Sequence, residues 1–375
     1  MSDANWDGSG GRVLFVPVSG PRGMGEYARA LALATAASRR WPALQIHFAV
    51  SRAAPYAADT PFPVTLLPSS PTFNTPQMRE LIATFCPTLV VFDNAGRSAQ
   101  LSAAARHGAR VVYVSSRRRQ RRKAFRLSWM RKLDEHWIAY PEFIAGALGL
   151  IERLKLRLLG RPQVRFLDVV LPPADPEVAA AMLAKLGVQP DAFVLVVPGG
   201  GTDHPGAVNA PQVVAAAARN IAEQGHPTVL VGVQPAEGTR SGDALRTLPR
   251  IPMTQLAELI RNARLVVSNG GDTLLQAIAC RRACVAVPIA GDQAHRIEKC
   301  EQAGLAKGAR LDAADLAEAA ASLMNDVAAH DALLTRLQSA RMHNGLDTAL
   351  ASFERLASPR QAHGPGAQPT SRAQA

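Results

Sequence analysis

The stretch RLVVSNGGDTLLQAIA (264–279) places two consecutive glycines between an apolar run and an amphipathic segment. The run at 264–268 is typical of a buried strand, and the residues from Asp272 onward are typical of a helix. Glycine is costly to order, so Gly270 and Gly271 indicate either a tight turn or a close approach of the backbone to another group. Exposed N–H groups at a helix start attract anions such as phosphate. The pair therefore predicts a compact turn or an anion site.

The same strand-to-helix order repeats along the 375 residues. Near-continuous apolar runs that alternate with helices predict parallel sheets covered on both faces. The predicted strands are 12–18, 44–50, 87–93, 109–115 and 135–140 in the first half, and 192–201, 227–233, 246–251, 264–268 and 283–289 in the second. We therefore expect an α/β protein with two doubly wound, Rossmann-like domains, and ligands beyond the carboxyl ends of the strands.

Composition excludes several classes of protein. The four cysteines are too few and too scattered for a disulfide framework. The amino-terminal residues carry no apolar leader, and the longest apolar run, 143–151, is about half the length that a membrane span needs. We therefore expect a cytoplasmic protein with reduced thiols. The sequence contains no Asp-x-Asp metal motif. We expect no metal and no cofactor.

Three glycine clusters fall at equivalent places, each after a predicted strand and before a predicted helix. They are Gly20/Gly23/Gly25, Gly199/Gly200/Gly201 and Gly270/Gly271. The segment GPRGMG (20–25) is not a G-x-G-x-x-G motif, and no Walker Lys-Ser/Thr pair follows, so a standard dinucleotide site and a P-loop are not indicated. Three such loops together predict one cleft for a phosphate-bearing ligand.

The second half resembles a known enzyme family. VPGGG (197–201), TVLVG (228–232) and the segment 256–305 follow one another as in the carboxy-terminal domain of family 28 glycosyltransferases, and the resemblance covers about 190–310. The segment GPRGMGEYARALALA (20–34) extends it to the first domain. These enzymes have the GT-B fold, two Rossmann-like domains with a cleft, and include the enzyme that adds N-acetylglucosamine to the lipid-linked peptidoglycan precursor. Nucleotide-sugar hydrolases of the pseudaminic-acid pathway look similar.

Composition, the strand–helix pattern and the resemblance together imply a domain layout. Residues 1–10 and 358–375 are expected to lack structure, 11–165 to form the acceptor-side domain, and the proline-rich segment 166–178 to be the linker. Residues 179–340 are expected to form the nucleotide-sugar domain, and 341–357 a helix that returns to the first domain.

The resemblance also implies roles for individual residues. The donor diphosphate would lie against the two later glycine loops, Gln276 stands where the family has a ribose-binding glutamate, and Asp292 and Gln293 match a polar pair near the donor sugar. Gly23 and Gly25 match the acceptor-side loop. The donor-binding residues implied are Gly199, Gly200, Gly201, Thr202, Gly270, Gly271, Thr273, Gln276, Asp292 and Gln293.

Two acidic residues are candidates for catalysis. Glu26 stands where many relatives have a histidine base, and a carboxylate can take the acceptor proton. The alternative is that it is a first-turn glutamate that favours the helix dipole. Asp93 ends a predicted strand, where ligand-binding residues gather, or it caps a loop.

The segment RRRQRRKAFRLSWMRK (117–132) holds nine Lys and Arg residues and no acid. It is a solvated helix face, a nucleic-acid patch or a surface for an anionic membrane. No RRM, helix-turn-helix or zinc pattern accompanies it, so we expect no nucleic acid. The neighbouring apolar run 143–151 and the basic residues Arg153, Lys155 and Arg157 favour a peripheral membrane location.

The expected function is inverting, metal-independent transfer of a sugar from a nucleotide-diphosphate donor, UDP-linked, to an envelope glycan or a lipid-linked acceptor. Two alternatives stay open: a nucleotide-sugar hydrolase, and a catalytically degenerate nucleotide-sugar-binding protein, since Glu26 and Gln276 replace residues of the family.

Overall fold

A computed structural model describes residues 6–21, 24–199, 209–232 and 244–358. It contains two parallel sheets, of seven and six strands, each covered by helices. This confirms the predicted α/β class with two Rossmann-like domains.

The first sheet has the strand order β3-β2-β1-β4-β5-β6-β7. Its strands are β1 (Arg12–Pro17), β2 (Gln45–Ser51), β3 (Val64–Leu67), β4 (Leu89–Asp93), β5 (Arg110–Ser115), β6 (Glu135–Ile138) and β7 (Gln163–Phe166). The helices between them are α1 (Gly25–Arg40), α2 (Thr75–Phe85), α3 (Ser98–Arg106), α4 (Arg118–Ala124), α5 (Leu127–Met130), α6 (Glu142–Ala145) and α7 (Leu150–Leu159). The central strands are buried on both faces, which explains their continuous apolar runs.

The second sheet has the order β10-β9-β8-β11-β12-β13. Its strands are β8 (Val194–Val197), β9 (Thr228–Val231), β10 (Leu245–Leu248), β11 (Leu265–Asn269), β12 (Ala283–Val287) and β13 (Lys307–Gly308). The helices of this half are α8 (Pro176–Leu186), α9 (Ala210–Glu223), α10 (Met253–Asn262), α11 (Asp272–Ala279), α12 (Gln293–Gln302), α13 (Ala313–Asn325) and α14 (Val327–Ser339).

Each sheet reverses its strand order at one point. In the first sheet the reversal lies between β1 and β4, which pair in parallel from Val13↔Leu89 to Pro17↔Asp93. In the second it lies between β8 and β11. Loops that leave neighbouring strands at such a point diverge and open a crevice, the usual ligand site of this kind of sheet. The glycine loops of the sequence follow β1, β8 and β11, so all three start at the two reversal points.

The chain crosses between the two sheets twice, and the crossings lie side by side. The amide of Asn344 donates to the Leu171 carbonyl (2.9 Å) and its oxygen accepts from the Leu171 N–H (3.1 Å). The N–H of Gly345 donates to the Val169 carbonyl at 2.7 Å. These bonds hold the outgoing and returning segments side by side.

The last helix, α15 (Gly345–Ala357), packs on the first sheet. The ring of Phe353 lies 5.9 Å from that of Phe15 and 5.8 Å from that of Trp137. Thr88 Oγ1 donates to the Ala357 carbonyl at 2.8 Å. Both ends of the described chain therefore contribute to one core.

Residues 6–10 fall in the stretch expected to lack structure, and they contact the first domain: the ring of Trp6 lies 5.3 Å from that of Trp41. Residues 1–5 and 359–375 lie outside the described residues.

The apolar run 143–151 is divided between two elements: α6 ends at Ala145, Gly146 has φ +80°, and α7 begins at Leu150. None of the described helices is long and apolar enough to cross a bilayer.

Candidate active site in the interdomain cleft

The carboxyl ends of the two sheets face each other across a cavity of about 320 Å³. Both domains supply its walls, because α1 of the first domain and α11 and α12 of the second begin there. The sequence-predicted residues that line it are Gly25, Glu26, Gly199, Gly271, Thr273, Gln276, Asp292 and Gln293. Asp93 and Gly270 lie behind its wall, and Gly23, Gly200, Gly201 and Thr202 lie outside the described residues.

The two glycines of the opening stretch have different surroundings. A Cβ on Gly270 would lie 2.8 Å from Ile297 Cδ1 and 2.9 Å from Gln293 Cβ, so this glycine lets α12 pack against the loop. A Cβ on Gly271 would lie 2.7 Å from Asn269 Oδ1, the atom that accepts the Gly271 N–H at 3.1 Å. Gly270 therefore serves the tight turn, and only Gly271 faces the cleft.

Gly199 has the same relation to Asn269. Its φ is +114°, a region that favours glycine, and a Cβ there would collide with the Asn269 side-chain amide. Asn269 thus fills the space between the β8 and β11 loops, and both glycines bring their backbone against it.

Gln276 is buried in the cleft wall, one turn into α11. Its Nε2 lies 3.4 Å from the Val170 carbonyl and 3.6 Å from Met253 Sδ. Its Oε1 is buried and has no hydrogen-bond partner among the described residues. A buried acceptor without a partner costs free energy, and a hydroxyl group of a bound ligand would satisfy it.

Arg29 contacts one acidic side chain in each domain. Its Nε and Nη2 donate to the two carboxylate oxygens of Asp93, at 2.8 and 3.0 Å. Its Nη1 lies 3.5 Å from Asp272 Oδ2, across the cleft at the start of α11. Asp272 therefore points at a cation of the other domain and does not stand free at the helix start.

The Arg29–Asp93 pair is almost completely buried. Burial raises the pKa of Asp93 to about 6, although Arg29 acts in the opposite direction. Burial also acts to lower the pKa of Arg29, but the attraction of Asp93 outweighs it and the pKa is raised, so the guanidinium stays charged. With both oxygens held by Arg29, Asp93 positions α1 against β4 and is not free to take a proton from a substrate.

Glu26 lies one turn earlier on α1 and is partly exposed to the cleft. Its Oε1 accepts from Asn94 Nδ2 at 2.9 Å. Asn94, with φ +51°, also contacts Ser116 Oγ with that nitrogen, and its Oδ1 accepts from the Ser116 N–H at 3.0 Å. One carboxylate oxygen of Glu26 is thus fixed, and the other accepts no hydrogen bond from the described residues.

Asp292 and Gln293, the polar pair at the start of α12, make different contacts. Gln293 Oε1 accepts from the N–H groups of Ile289 (2.8 Å) and Ala290 (3.3 Å), so it shapes the preceding loop. Asp292 pairs with Arg296 Nη2 at 3.0 Å. The guanidinium of Arg296 also lies 4.4 Å from the ring centroid of Tyr140, within cation–π range, and contacts the Gly270 carbonyl.

No three His, Cys, Asp or Glu side chains come close enough to hold a metal ion within the described part of the chain. Four basic side chains line the cleft: Arg29, Arg117, Arg250 and Arg296.

Sequence reasoning missed Arg29, Asn94 and Tyr140. A usable signal existed for Arg29, because it is a single basic residue in the alanine- and leucine-rich segment YARALALATAA (27–37). A lone charge on an otherwise apolar helix predicts a buried partner. Asn94 and Tyr140 each follow a strand and carry no comparable signal.

No protein-family model matches the sequence, and no curated protein sequence matches it significantly. Solved structures do match in three dimensions. The spinosyn forosaminyltransferase SpnP has a TM-score of 0.63 at 15% identity, over 92% of this chain and 100% of its own. The calicheamicin glycosyltransferase CalG4 has a TM-score of 0.59 at 18% identity, over 92% and 96%. Os79 from O. sativa, solved in complex with UDP, has a TM-score of 0.63 at 13% identity, over 92% and 100%.

These structural neighbours are glycosyltransferases. At such identities the likeness concerns the fold, and it covers both domains together with the cleft between them. The expected GT-B architecture is confirmed: the chain folds as two Rossmann-like domains around a ligand-sized cleft.

Proposed function

We propose that the protein transfers a sugar from a nucleoside-diphosphate donor, UDP-linked, to an envelope glycan or a lipid-linked acceptor, with inversion at the sugar carbon and without a metal ion. Membership of glycosyltransferase family 28 and a link to peptidoglycan chemistry are part of this proposal.

One observation carries it: Gln276 lines the cleft one turn after the start of α11, and its buried Oε1 has no hydrogen-bond partner among the described residues. A diphosphate at the N-terminus of α11 would be attracted by the helix dipole. A ribose attached to it would then lie over the next turn of the helix, where its hydroxyl group can donate to Gln276. The solved neighbour in complex with UDP has the same fold.

The negative charge of the diphosphate would be balanced by protein groups. Arg250 and Arg296 line the same cavity, and Gly199 and Gly271 let the backbone approach. Asp272 opposes such binding, but Arg29 lies 3.5 Å from its carboxylate and offsets part of its charge. This arrangement needs no metal.

Glu26 is the best placed base for the acceptor hydroxyl. Inversion requires the acceptor to attack from the side opposite the leaving diphosphate, and Glu26 lines the cavity from the first domain, whereas α11 belongs to the second. Its hydrogen bond from Asn94 fixes the orientation of the carboxylate. Asp93, the other candidate, is already held by Arg29.

We further infer contact with an anionic membrane, on the cytoplasmic face. Six basic side chains of 117–132 are exposed and have no partner among the described residues: Arg117, Arg118, Arg119, Arg122, Arg126 and Arg131. The other three are used inside the protein: Arg121 pairs with Glu152, Lys123 with the Gly96 carbonyl, and Lys132 with Ser98.

The apolar component of this surface is α7. Its side chains Leu150, Ile151, Leu154 and Leu158 are 82%, 70%, 57% and 75% exposed. Basic residues Arg153, Lys155 and Arg157 lie on the same helix. An exposed apolar helix face flanked by cations is typical of a helix that lies in the bilayer interface.

The donor assignment is tested by thermal unfolding and calorimetry with UDP, dTDP, GDP and ADP and their sugars. A bound nucleotide at a hundredfold excess over Kd stabilises the protein by about 2.7 kcal/mol. Gln276→Leu is expected to weaken binding, whereas Gln212→Leu on the exposed face of α9 is the matched control and should not. If none of the nucleotides binds, the proposal is wrong.

Turnover assays then separate the alternatives. Sugar transfer to an acceptor supports the transferase. Release of free sugar without any acceptor identifies a hydrolase, and tight binding with no turnover on any donor identifies a binding protein.

A further inference from the structure

A second cavity, of about 530 Å³, opens beside the cleft. It lies between the start of α4, the α6 segment and α12, so both domains form its walls. It shares Ser116, Arg117, Tyr140, Asp292 and Arg296 with the cleft. If the donor binds as proposed above, this cavity adjoins the donor sugar, which the polar pair at the start of α12 would contact. An acceptor has to bind next to the donor sugar, because its hydroxyl group attacks the sugar carbon.

The charge of this cavity is strongly one-sided. Five Arg and Lys side chains line it, namely Arg117, Arg118, Arg121, Arg296 and Lys299, and Asp292 is the single carboxylate among the described residues that do so. Asp292 is already paired with Arg296 at 3.0 Å.

The individual cations differ in how far they are neutralised. Arg121 is fixed in the wall by Glu152 (2.6 Å) and by the carbonyls of residues 145–147. Lys299 donates to the neutral Gln302 side chain at 3.1 Å. Arg117 and Arg118 have no acidic partner among the described residues.

Arg296 stands between the two cavities and is buried. Its Nε is buried and has no hydrogen-bond partner among the described residues. A buried guanidinium nitrogen without an acceptor is costly, and an anionic ligand oxygen would satisfy it. Arginine is suited to this role because it binds phosphate and carboxylate in two-point contacts.

The wall at β6 and the α6 segment is largely apolar. Ile138, Tyr140, Phe143 and Ile144 line it, and Phe143 is 38% exposed. A ligand that fits both walls combines an anionic group with an apolar segment.

We propose that this second cavity binds the anionic group of the acceptor, a phosphate, and holds it next to the donor sugar. The proposal rests on the proposed sugar transfer. The same phosphate chemistry is offered by a lipid phosphate and by a soluble sugar phosphate, and the apolar wall favours the lipid.

The probes are geranyl phosphate and glucose 1-phosphate, titrated by calorimetry into the protein saturated with UDP. The test variant combines Arg118→Ser with Lys299→Ser, two cations that line only the second cavity. The matched control combines Arg119→Ser with Arg122→Ser, which removes the same charge from exposed positions of α4 outside the cavity. UDP affinity is measured for each protein.

We expect the test variant to bind geranyl phosphate at least about tenfold more weakly than the wild type, and the control to change it less than about twofold. Tighter binding of geranyl phosphate than of glucose 1-phosphate supports a lipid phosphate, and equal binding supports a soluble one. Equal losses in both variants, competition with UDP, or no binding of either probe would overturn the proposal.

The two proposals fail in different ways. If UDP binds and neither phosphate probe binds, the donor-site proposal is supported and the proposal that the second cavity binds a phosphate is refuted. If UDP does not bind, the sugar-transfer proposal is refuted. The phosphate probes are then titrated into the protein without nucleotide.

Discussion

Arg29 bridges the two domains: it holds both oxygens of Asp93 at 2.8 and 3.0 Å, and its Nη1 lies 3.5 Å from Asp272 Oδ2 on the other side of the cleft. The first contact is buried, and the second involves a side chain that is 33% exposed. Any opening of the cleft at this point lengthens the Asp272 contact and leaves the Asp93 contact intact.

Replacing Arg29 by methionine is expected to destabilise the protein by about 3–5 kcal/mol, because Asp93 would remain buried without its cation. Urea unfolding measures this loss. Asp272→Asn is the control for the exposed contact and should cost less than about 1 kcal/mol. Combining Arg29→Met with Asp93→Leu should recover most of the loss, and an Arg29→Met protein as stable as the wild type would contradict the assignment.

Glu26→Gln is expected to leave the affinity for UDP unchanged and to lower kcat by at least about a hundredfold, because an amide cannot take the acceptor proton. Donor affinity by calorimetry and initial rates provide the two readouts. Asn94→Ala, which removes the hydrogen bond to Glu26, should lower the rate less. Wild-type turnover in the Glu26→Gln protein would exclude this residue as the base.

Gly270 and Gly271 should respond differently to alanine. At Gly270 the new methyl group meets α12, at 2.8 and 2.9 Å from Ile297 and Gln293, so we expect a loss of about 1–3 kcal/mol in unfolding free energy. At Gly271 it meets only the end of the Asn269 side chain, and we expect near-normal stability with weaker UDP binding. Nucleotide binding equal to wild type in Gly271→Ala would argue against a donor site at this turn.

Membrane binding should depend on both components of the surface. Arg118, Arg119 and Arg122 changed together to serine should reduce sedimentation with phosphatidylglycerol-containing vesicles in a salt-sensitive way, since each basic residue contributes about 1 kcal/mol near an anionic surface. Leu154→Ser with Leu158→Ser should reduce it at any salt concentration. Val327→Ser, an exposed apolar position on α14, is the control. Equal binding to vesicles of phosphatidylcholine alone would remove the membrane from the proposal.

His136 should make stability depend on pH. Burial, with a smaller effect of Arg121, lowers the pKa of His136 to about 3 from 6.5. Between these values the unfolded chain binds a proton that the folded protein does not, so stability falls as the pH falls through this window. The contribution approaches about 1.4 kcal/mol per pH unit. Urea unfolding of the wild type and His136→Gln between about pH 4.5 and pH 6 tests this. If the unfolding free energy changes with pH by the same slope in the wild type and in His136→Gln, the prediction is wrong.

Much of the fold follows from periodicity. The central strands are buried on both faces, and their apolar runs predict them directly. β3 and β7 are edge strands with partly exposed residues, such as Leu66 at 44%, so they show no continuous apolar run and were not predicted. The apolar run 143–151 is not one element, because Gly146 breaks it.

The candidate site was only partly predictable. The glycine clusters after β1, β8 and β11 predicted the position of the cleft, because a tight backbone turn requires glycine and is therefore recognisable in the local sequence. The Arg29–Asp93 pair joins residues 64 positions apart in the chain, and such a pairing depends on which strands are neighbours, which local sequence does not specify. The roles of Gly270 and Asn269 likewise became visible only once α12 and β8 were placed beside them.

The position of α15 has a consequence for how the protein is made. Phe353 and its neighbours on α15 complete the core of the first domain, which also contains Phe15 and Trp137. Domains usually fold in the order of their synthesis, but here the first domain lacks part of its interior until the ribosome has passed residue 357. The second domain, whose strands and helices all precede α15, has every segment it needs before that point. During translation, the domain that begins first is therefore completed last.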